Sequence, residues 1–304
     1  MGRIEIKAIY SDAYEVDIGL HIFPTVKFRL IREKLIKDKL LKEEDFIQAP
    51  PASTEQILLA HTESYLNKLD QGTLSPQELF TLELPYSKAL VRASRICVGG
   101  TILAAKLALE QKRPCLHLGG GFHHAFSDHG EGFCVLNDVA CAVKFCSLRK
   151  GVDRIMIVDC DLHQGNGNAD IFRDYENVFT FSIHEQNNYP PIKPPSDLDI
   201  GLPSGTEDEQ YLDALRNNLP KIFQDFQPQL IFYIAGADPY LKDQLGGLGL
   251  TMDGLSRRDE FIFTQAKRKG ATVVVVLGGG YCPDIKDTVN IHYNTAKKAL
   301  EVFG

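Results

Sequence analysis

The 304-residue chain has no excess of basic charge: 33 Lys and Arg stand against 40 Asp and Glu, a formal net charge of −7. A basic nucleic-acid footprint is thereby excluded, and a mildly acidic surface favours cationic peptide partners through long-range attraction. No apolar run approaches the ~18 residues that a membrane span needs. The first ten residues alternate charged and apolar side chains and carry no signal-peptide core. The seven cysteines are odd in number and contain no Cys-x-x-Cys pair, which argues for reduced thiols in a cytoplasm-like compartment. Internal repeats and low-complexity tracts are also lacking. The one proline-rich stretch, from Tyr189 to Pro195, is too short to link domains and reads as an ordered loop. With 44% apolar and 24% charged residues, the composition is globular. The expectation is one cytoplasmic domain over residues 1–304.

What is present is a recurring short run of apolar, mostly β-branched residues, at residues 4–9, 115–118, 154–158, 178–183, 230–234 and 272–277. Most of these runs are continuous, as in fully buried parallel strands. Helical patterns sit between many of them. Ser53-Thr54-Glu55-Gln56 is a capping box leading into a helix over 57–69. A second helix covers 87–111, with Gly99-Gly100 as a close-packing point. Thr206 and Glu209 form the capping pattern of a helix reaching about residue 226, and a fourth covers 255–269, stopped by Gly270. Strands alternating with helices predict an α/β fold with a parallel sheet covered on both faces.

The polar residues that follow the strands carry the functional signal. Leu118 runs into Gly119-Gly120-Gly121-Phe122-His123-His124. Val158 runs into Asp159-Cys160-Asp161-Leu162-His163-Gln164-Gly165-Asn166, Ile183 into His184-Glu185, Ala237 into Asp238, and Leu277 into Gly278-Gly279-Gly280-Tyr281. Six of the nine histidines lie between 117 and 184. In open parallel sheets, ligands bind beyond the carboxyl ends of the strands, and these polar clusters stand there.

In extended chain, residues i and i+2 point the same way, so Asp161 and His163 converge. Asp238, leaving another strand, supplies a third ligand. Two Asp and one His with an open position suit a catalytic divalent metal, zinc by default, with ferrous iron allowed by the same ligands. A lone Asp-x-His more often caps a loop; Asp238 and the two glycine-rich loops turn the balance. Of His123 and His124, one faces the site and the other supports it, as general base and then acid beside the metal. Asp159 can orient one imidazole and Asn166 the other, the neutral amide raising basicity less. Gly278-Gly279-Gly280 lets backbone approach a ligand, with Tyr281 as an oxyanion donor. The spacing is not Gly-x-Gly-x-x-Gly, and no Gly-Lys-Ser/Thr follows, which argues against a dinucleotide or phosphate turn. Gly132-Phe133 and Tyr189 are candidate walls for an aliphatic slot, although aromatics in isolation more often fill cores. Asp128, His129 and Glu131 read as a solvated loop, His61 (on a helix) and His292 as structural or exposed, and Cys134 and Cys160 as bystanders.

Taken together, these motifs resemble the zinc-dependent histone deacetylases: Gly-Gly-Gly-Phe-His123-His124, Gly132-Phe133-Cys134-x-x-Asn137-Asp138, Asp159-x-Asp161-x-His163-Gln-Gly-Asn166-Gly, Gly236-Ala-Asp238 with Asp243-x-Leu245-Gly, and Leu-Gly-Gly-Gly-Tyr281. The likeness runs from about residue 4 to 304. Its wording around His163, in Ser127-Asp-x-Gly-x-Gly-Phe and in Gly205-Thr-Glu-Asp-x-x-Tyr211-Leu, is most similar to the class IV branch and its bacterial relatives. The resemblance implies the arginase/deacetylase fold, a three-layer single domain with a mostly parallel sheet of about eight strands. It implies zinc on Asp161, His163 and Asp238, and His124 as general base and acid. His123 with Asp159 becomes an electrostatic helper, and Tyr281 polarises the scissile carbonyl. Phe133, Tyr189 and Leu245 line the acyl-lysine channel, with Gly132, Gly279 and Gly280 beside it. Asp159 and Ser182, with the backbone carbonyls of Asp161, His163 and Ile183, match the family's inner potassium site. The outer one is traceable only at Phe172 and Val178, and Glu83 is the candidate for the family's substrate-gripping acid. The implied activity is hydrolysis of a linear amide, removing acetyl or longer acyl groups from Nε-acyl-lysine. A deacylase of acetylpolyamines or other small acylated amines, or a silent acyl-lysine-binding module, are the alternatives.

Overall fold

The computed structural model describes residues 6–304, and the first part of the strand expected at 4–9 lies outside the described residues. Eight strands form one sheet: β1 (Lys7–Tyr10), β2 (Phe46–Gln48), β3 (Cys115–His117), β4 (Ile155–Asp159), β5 (Val178–Glu185), β6 (Leu198–Leu202), β7 (Leu230–Ile234) and β8 (Thr272–Val276). Their order is β2-β1-β3-β8-β7-β4-β5-β6, and every pairing is parallel. The continuous apolar runs occupy the middle: every residue of β3, β4 and β7 is buried.

Among the described residues, ten α-helices connect or flank the strands: α1 (Lys27–Lys37), α2 (Thr54–Ile57), α3 (Glu63–Gln71), α4 (Pro76–Leu82), α5 (Lys88–Gln111), α6 (Asp138–Lys150), α7 (Asn166–Phe172), α8 (Asp208–Phe226), α9 (Met252–Lys269) and α10 (Ile285–Phe303). Helices α5 and α6 pack together as one layer, while α1, α10, α9 and α8 form a contiguous row as the other. Gly99 and Gly100 lie in the buried stripe of α5, where a Cβ on Gly99 would stand 1.9 Å from the carbonyl oxygen of Pro50. No helix among the described residues is long and apolar enough to cross a membrane.

Three local expectations are corrected. The helix expected at 57–69 is two pieces, because Thr62 caps a new start by accepting from the Tyr65 amide at 3.3 Å. His61 sits in the intervening turn, buried, with Nε2 accepting from the Asn137 amide. Helix α8 is capped by Glu207, not Thr206, whose hydroxyl instead donates to the Pro203 carbonyl. The two outermost strands, β2 and β6, carry no continuous apolar run and are only partly buried. Such half-exposed edges give little sequence signal.

The sheet register prepares the site. His117, Val276, Ile234, Asp159 and Ser182 lie on one line across five neighbouring strands. The chain therefore leaves β3, β8, β7 and β4 at one level, where the strand order departs from chain order. Those four exits carry His123-His124, Tyr281, Asp238 and Asp161-x-His163.

Candidate active site

Asp161, His163 and Asp238 offer ligand atoms that all lie within 4.8 Å of one another, and all three side chains are buried. Nδ1 of His163 stands 3.2 Å from Asp161 Oδ1 and 3.3 Å from Asp238 Oδ2. The carboxylates are aimed by backbone: Gly279 N–H donates to Asp161 Oδ2 at 2.7 Å, and Leu162 N–H donates to Asp238 Oδ1 at 3.0 Å. Beyond that 3.3 Å approach of His163, Asp238 Oδ2 accepts no hydrogen bond among the described residues. A buried carboxylate oxygen that accepts no hydrogen bond is costly. Burial, with Asp161 close by, raises the Asp238 pKa to about 7. Burial works against charge on His163 too, yet the two carboxylates outweigh it and lift that imidazole to about 10. The cluster is thus short of positive charge, and its two oxygens and one nitrogen fit a divalent cation such as zinc. Residue 279 must be glycine here, since a Cβ would stand 2.1 Å from Asp238 Oδ2.

The adjacent histidines divide as their partners differ. His123 Nδ1 meets Asp159 Oδ2 at 2.6 Å. Burial disfavours its charge, but Asp159 and Asp161 overcome that and raise its pKa to about 9. His124 Nδ1 meets Asn166 Oδ1 at 2.7 Å. Burial, then the neighbouring His123 and His163, push His124 well below the ordinary histidine range. One ring holds charge and the other stays neutral, with their centroids 4.1 Å apart.

His124, His163 and Tyr281 floor a cavity of about 180 Å³, walled by Gly132, Phe133, Tyr189 and Leu245, with Glu83 at its lining. A Cβ on Gly132 would meet both His124 and Tyr189 at 2.9 Å, so glycine keeps the wall open. Gly279 lines a smaller space behind, of about 20 Å³. Gly280 is absent from both linings and packs toward Thr288. The Tyr281 backbone N–H donates to Asp243 Oδ2 at 2.6 Å. Burial, then Asp238 and Asp161, hold its phenol far above the usual value, so it remains a donor. Ser182 pairs in register with Asp159, and its hydroxyl meets His184 Nδ1 at 3.0 Å. Ile183 follows it in β5, which Val178 opens, while Phe172 closes α7. His292 is buried, as are all seven unpaired cysteines.

Two residues near the site were not legible beforehand. Glu131, expected in a solvated loop, has a side chain only 15% exposed. It accepts from Asn166 and Tyr189 at 2.6 and 2.9 Å, partners that no local pattern announces. Lys27 is fully buried; its ammonium donates to the Gly278 carbonyl at 2.8 Å and lies 5.4 to 5.7 Å from the rings of Phe23, Phe28 and Tyr281. Burial draws its pKa from 10.5 down to about 8, against the pull of Asp238, Asp161 and Asp243. Between those two values the unfolded chain holds more of this proton than the folded one, so Lys27 adds stability as pH rises through that window. The urea midpoint of the wild type, taken relative to Lys27→Met, is expected to climb from pH 8 to 10.5. A constant difference would show that the folded amine titrates normally.

The comparisons with known proteins converge. Residues 21–296 match the histone deacetylase domain. An uncharacterized protein of a Picosynechococcus species is 41% identical over 283 residues, 93% of this chain and 94% of its own. Histone deacetylase 2 of Arabidopsis thaliana is 34% identical over 291 residues, 91% of this chain and 75% of its own. The crystal structure of an HDAC homolog complexed with SAHA covers 98% of this chain and 84% of its own with a TM-score of 0.83 at 24% identity, which establishes the common fold. An eight-stranded parallel α/β sheet, a match over nine-tenths of its length and a relative above 30% identity place this chain in the histone deacetylase domain family.

Proposed function

We propose that this deacetylase-family protein is a zinc-dependent hydrolase of Nε-acyl-lysine in peptides or proteins. The observation that carries the reading is the close approach of Asp161, His163 and Asp238, with His163, His124 and Tyr281 lining an aromatic-walled cavity. Asp161, His163 and Asp238 would hold the cation, which when bound supplies Lewis acidity to the amide carbonyl and makes the attacking water more acidic. His124 takes the proton of that water on Nε2 and delivers it to the departing lysine amine. Tyr281 donates its phenolic hydrogen to the carbonyl oxygen as charge grows there. His123 keeps its proton with Asp159 and adds a fixed positive charge nearby. Phe133, Tyr189 and Leu245 hold the methylenes of the lysine side chain and keep water from its path.

Asp159 and Ser182, with the carbonyls of Asp161, His163 and Ile183, form the proposed inner potassium set, which would steady the loop bearing two of the zinc ligands. Kinship with the class IV branch, a single catalytic domain over 1–304 and a reducing, cytoplasm-like setting belong to the same reading. The test is one turnover panel of acetyl, crotonyl, octanoyl and myristoyl lysine peptides beside acetylpolyamines, with chelator and after zinc or ferrous iron is returned. Hydrolysis of acyl-lysine that stops with chelator and returns with zinc is expected. Undiminished turnover by an extensively dialysed, metal-free sample would overturn the proposal.

A further inference from the structure

We propose that Glu131 is a positioning residue which, through Asn166, sets the tautomer of His124 and leaves Nε2 of that ring free to accept a proton. The inference rests on the reading of His124 as the base and adds to it the device that makes the ring basic at the correct nitrogen. A carboxylate only accepts hydrogen bonds, whereas an amide has one accepting and one donating end. Asn166 Nδ2 donates to Glu131 Oε1 at 2.6 Å. The amide oxygen must then point the other way, and it lies 2.7 Å from His124 Nδ1. An oxygen there requires hydrogen on Nδ1. A neutral imidazole carries only one such hydrogen, so the lone pair is on Nε2.

The same Glu131 oxygen accepts from the Tyr189 hydroxyl at 2.9 Å. The Tyr189 ring stands edge-on to His124, with centroids 5.1 Å apart and planes at 89°. One carboxylate therefore fixes both the proton on the base and the wall beside it. Its other oxygen faces His129 Nε2 at 3.5 Å, and His129 in turn meets Asp128. Burial tends to raise the Glu131 pKa, but its bonds from His129, Tyr189 and Asn166 outweigh this and hold it below the ordinary carboxylate range. It stays an acceptor at neutral pH. Were residue 131 able to donate, the Asn166 amide could turn over. Its NH₂ would then face His124, the hydrogen would move to Nε2, and the ring could not take a proton from the channel side.

The test uses the full-length zinc-loaded protein. Glu131→Gln, which is isosteric but able to donate, is expected to lower kcat on the order of 10²-fold, with KM little changed, because the base is held in the wrong tautomer. Asn166→Asp should reverse the sign. In that background Glu131→Gln is expected to raise kcat, because a carboxylate at 166 accepts from His124 in either orientation and from the new amide. The ¹⁵N spectrum of the histidine rings reads the tautomer without any substrate. Wild type should show Nδ1–H at His124, and Glu131→Gln should bring in Nε2–H. An unchanged tautomer in Glu131→Gln, or an equal loss of kcat in both backgrounds, would overturn the proposal in favour of simple packing. Full activity in His124→Ala would instead overturn the assignment of the base and leave the ring spectrum to decide the role of Glu131.

Discussion

Asp238→Asn is expected to lower turnover on the order of 10³-fold or more, since a bound cation contributes several kcal/mol of transition-state stabilisation and each 1.36 kcal/mol is tenfold in rate. Among the described residues Asp238 Oδ2 is approached only by His163 Nδ1 at 3.3 Å and accepts no hydrogen bond, so the exchange removes the carboxylate oxygen most dependent on a cation. The shape is unchanged and Oδ1 still has a counterpart for the Leu162 amide. The loss should therefore appear as weakened zinc retention under chelator competition. The metal-free protein should respond in the opposite sense. Two carboxylates buried side by side repel, and burial with Asp161 lifts Asp238 to about 7. Above that pH the charge on Asp238 costs stability, so metal-free Asp238→Asn should melt higher than metal-free wild type. A variant that keeps stoichiometric zinc and full turnover would exclude Asp238 from the metal set.

Tyr281→Phe is expected to lower kcat by about 10²–10³, the range for loss of one oxyanion donor, with little effect on KM. The backbone anchor to Asp243 and the ring contact with Phe133 at 5.9 Å are kept, so the melting temperature should barely move. The substitution deletes one hydroxyl that burial, then Asp238 and Asp161, keep protonated. Near-normal kcat would remove the hydroxyl from the reaction and leave carbonyl polarisation wholly to the metal.

How much of this was legible in the sequence follows from burial. Strands β4, β7 and β8 are nearly continuous apolar runs whose exits carry glycine or aspartate, because both faces are covered and the chain must turn at the site. The edge strands Phe46–Gln48 and Leu198–Leu202 mix polar and apolar residues, so no period marks them. The pairing of Asp161 with His163 was readable because it is local, and Asp238 because it ends a strand. Glu131 was not, since its partners Asn166 and Tyr189 lie 35 and 58 residues away. Flanked by Asp128 and His129, it looks like any solvated loop acid. Lys27 was hidden for the opposite reason: an isolated lysine in an amphipathic helix ordinarily faces water, and three aromatic rings around one ammonium arise only in three dimensions.

The shared level of His117, Val276, Ile234 and Asp159 bears on how such a protein can change over time. One residue inserted within any of these strands would lift its reactive group by about 3.3 Å and turn it to the opposite face, dismantling the centre in a single step. An insertion in a crossover at the opposite end of the sheet, or in the outer part of a rim loop, would leave that level in place. A changed mouth is therefore compatible with an unchanged set of groups at that level.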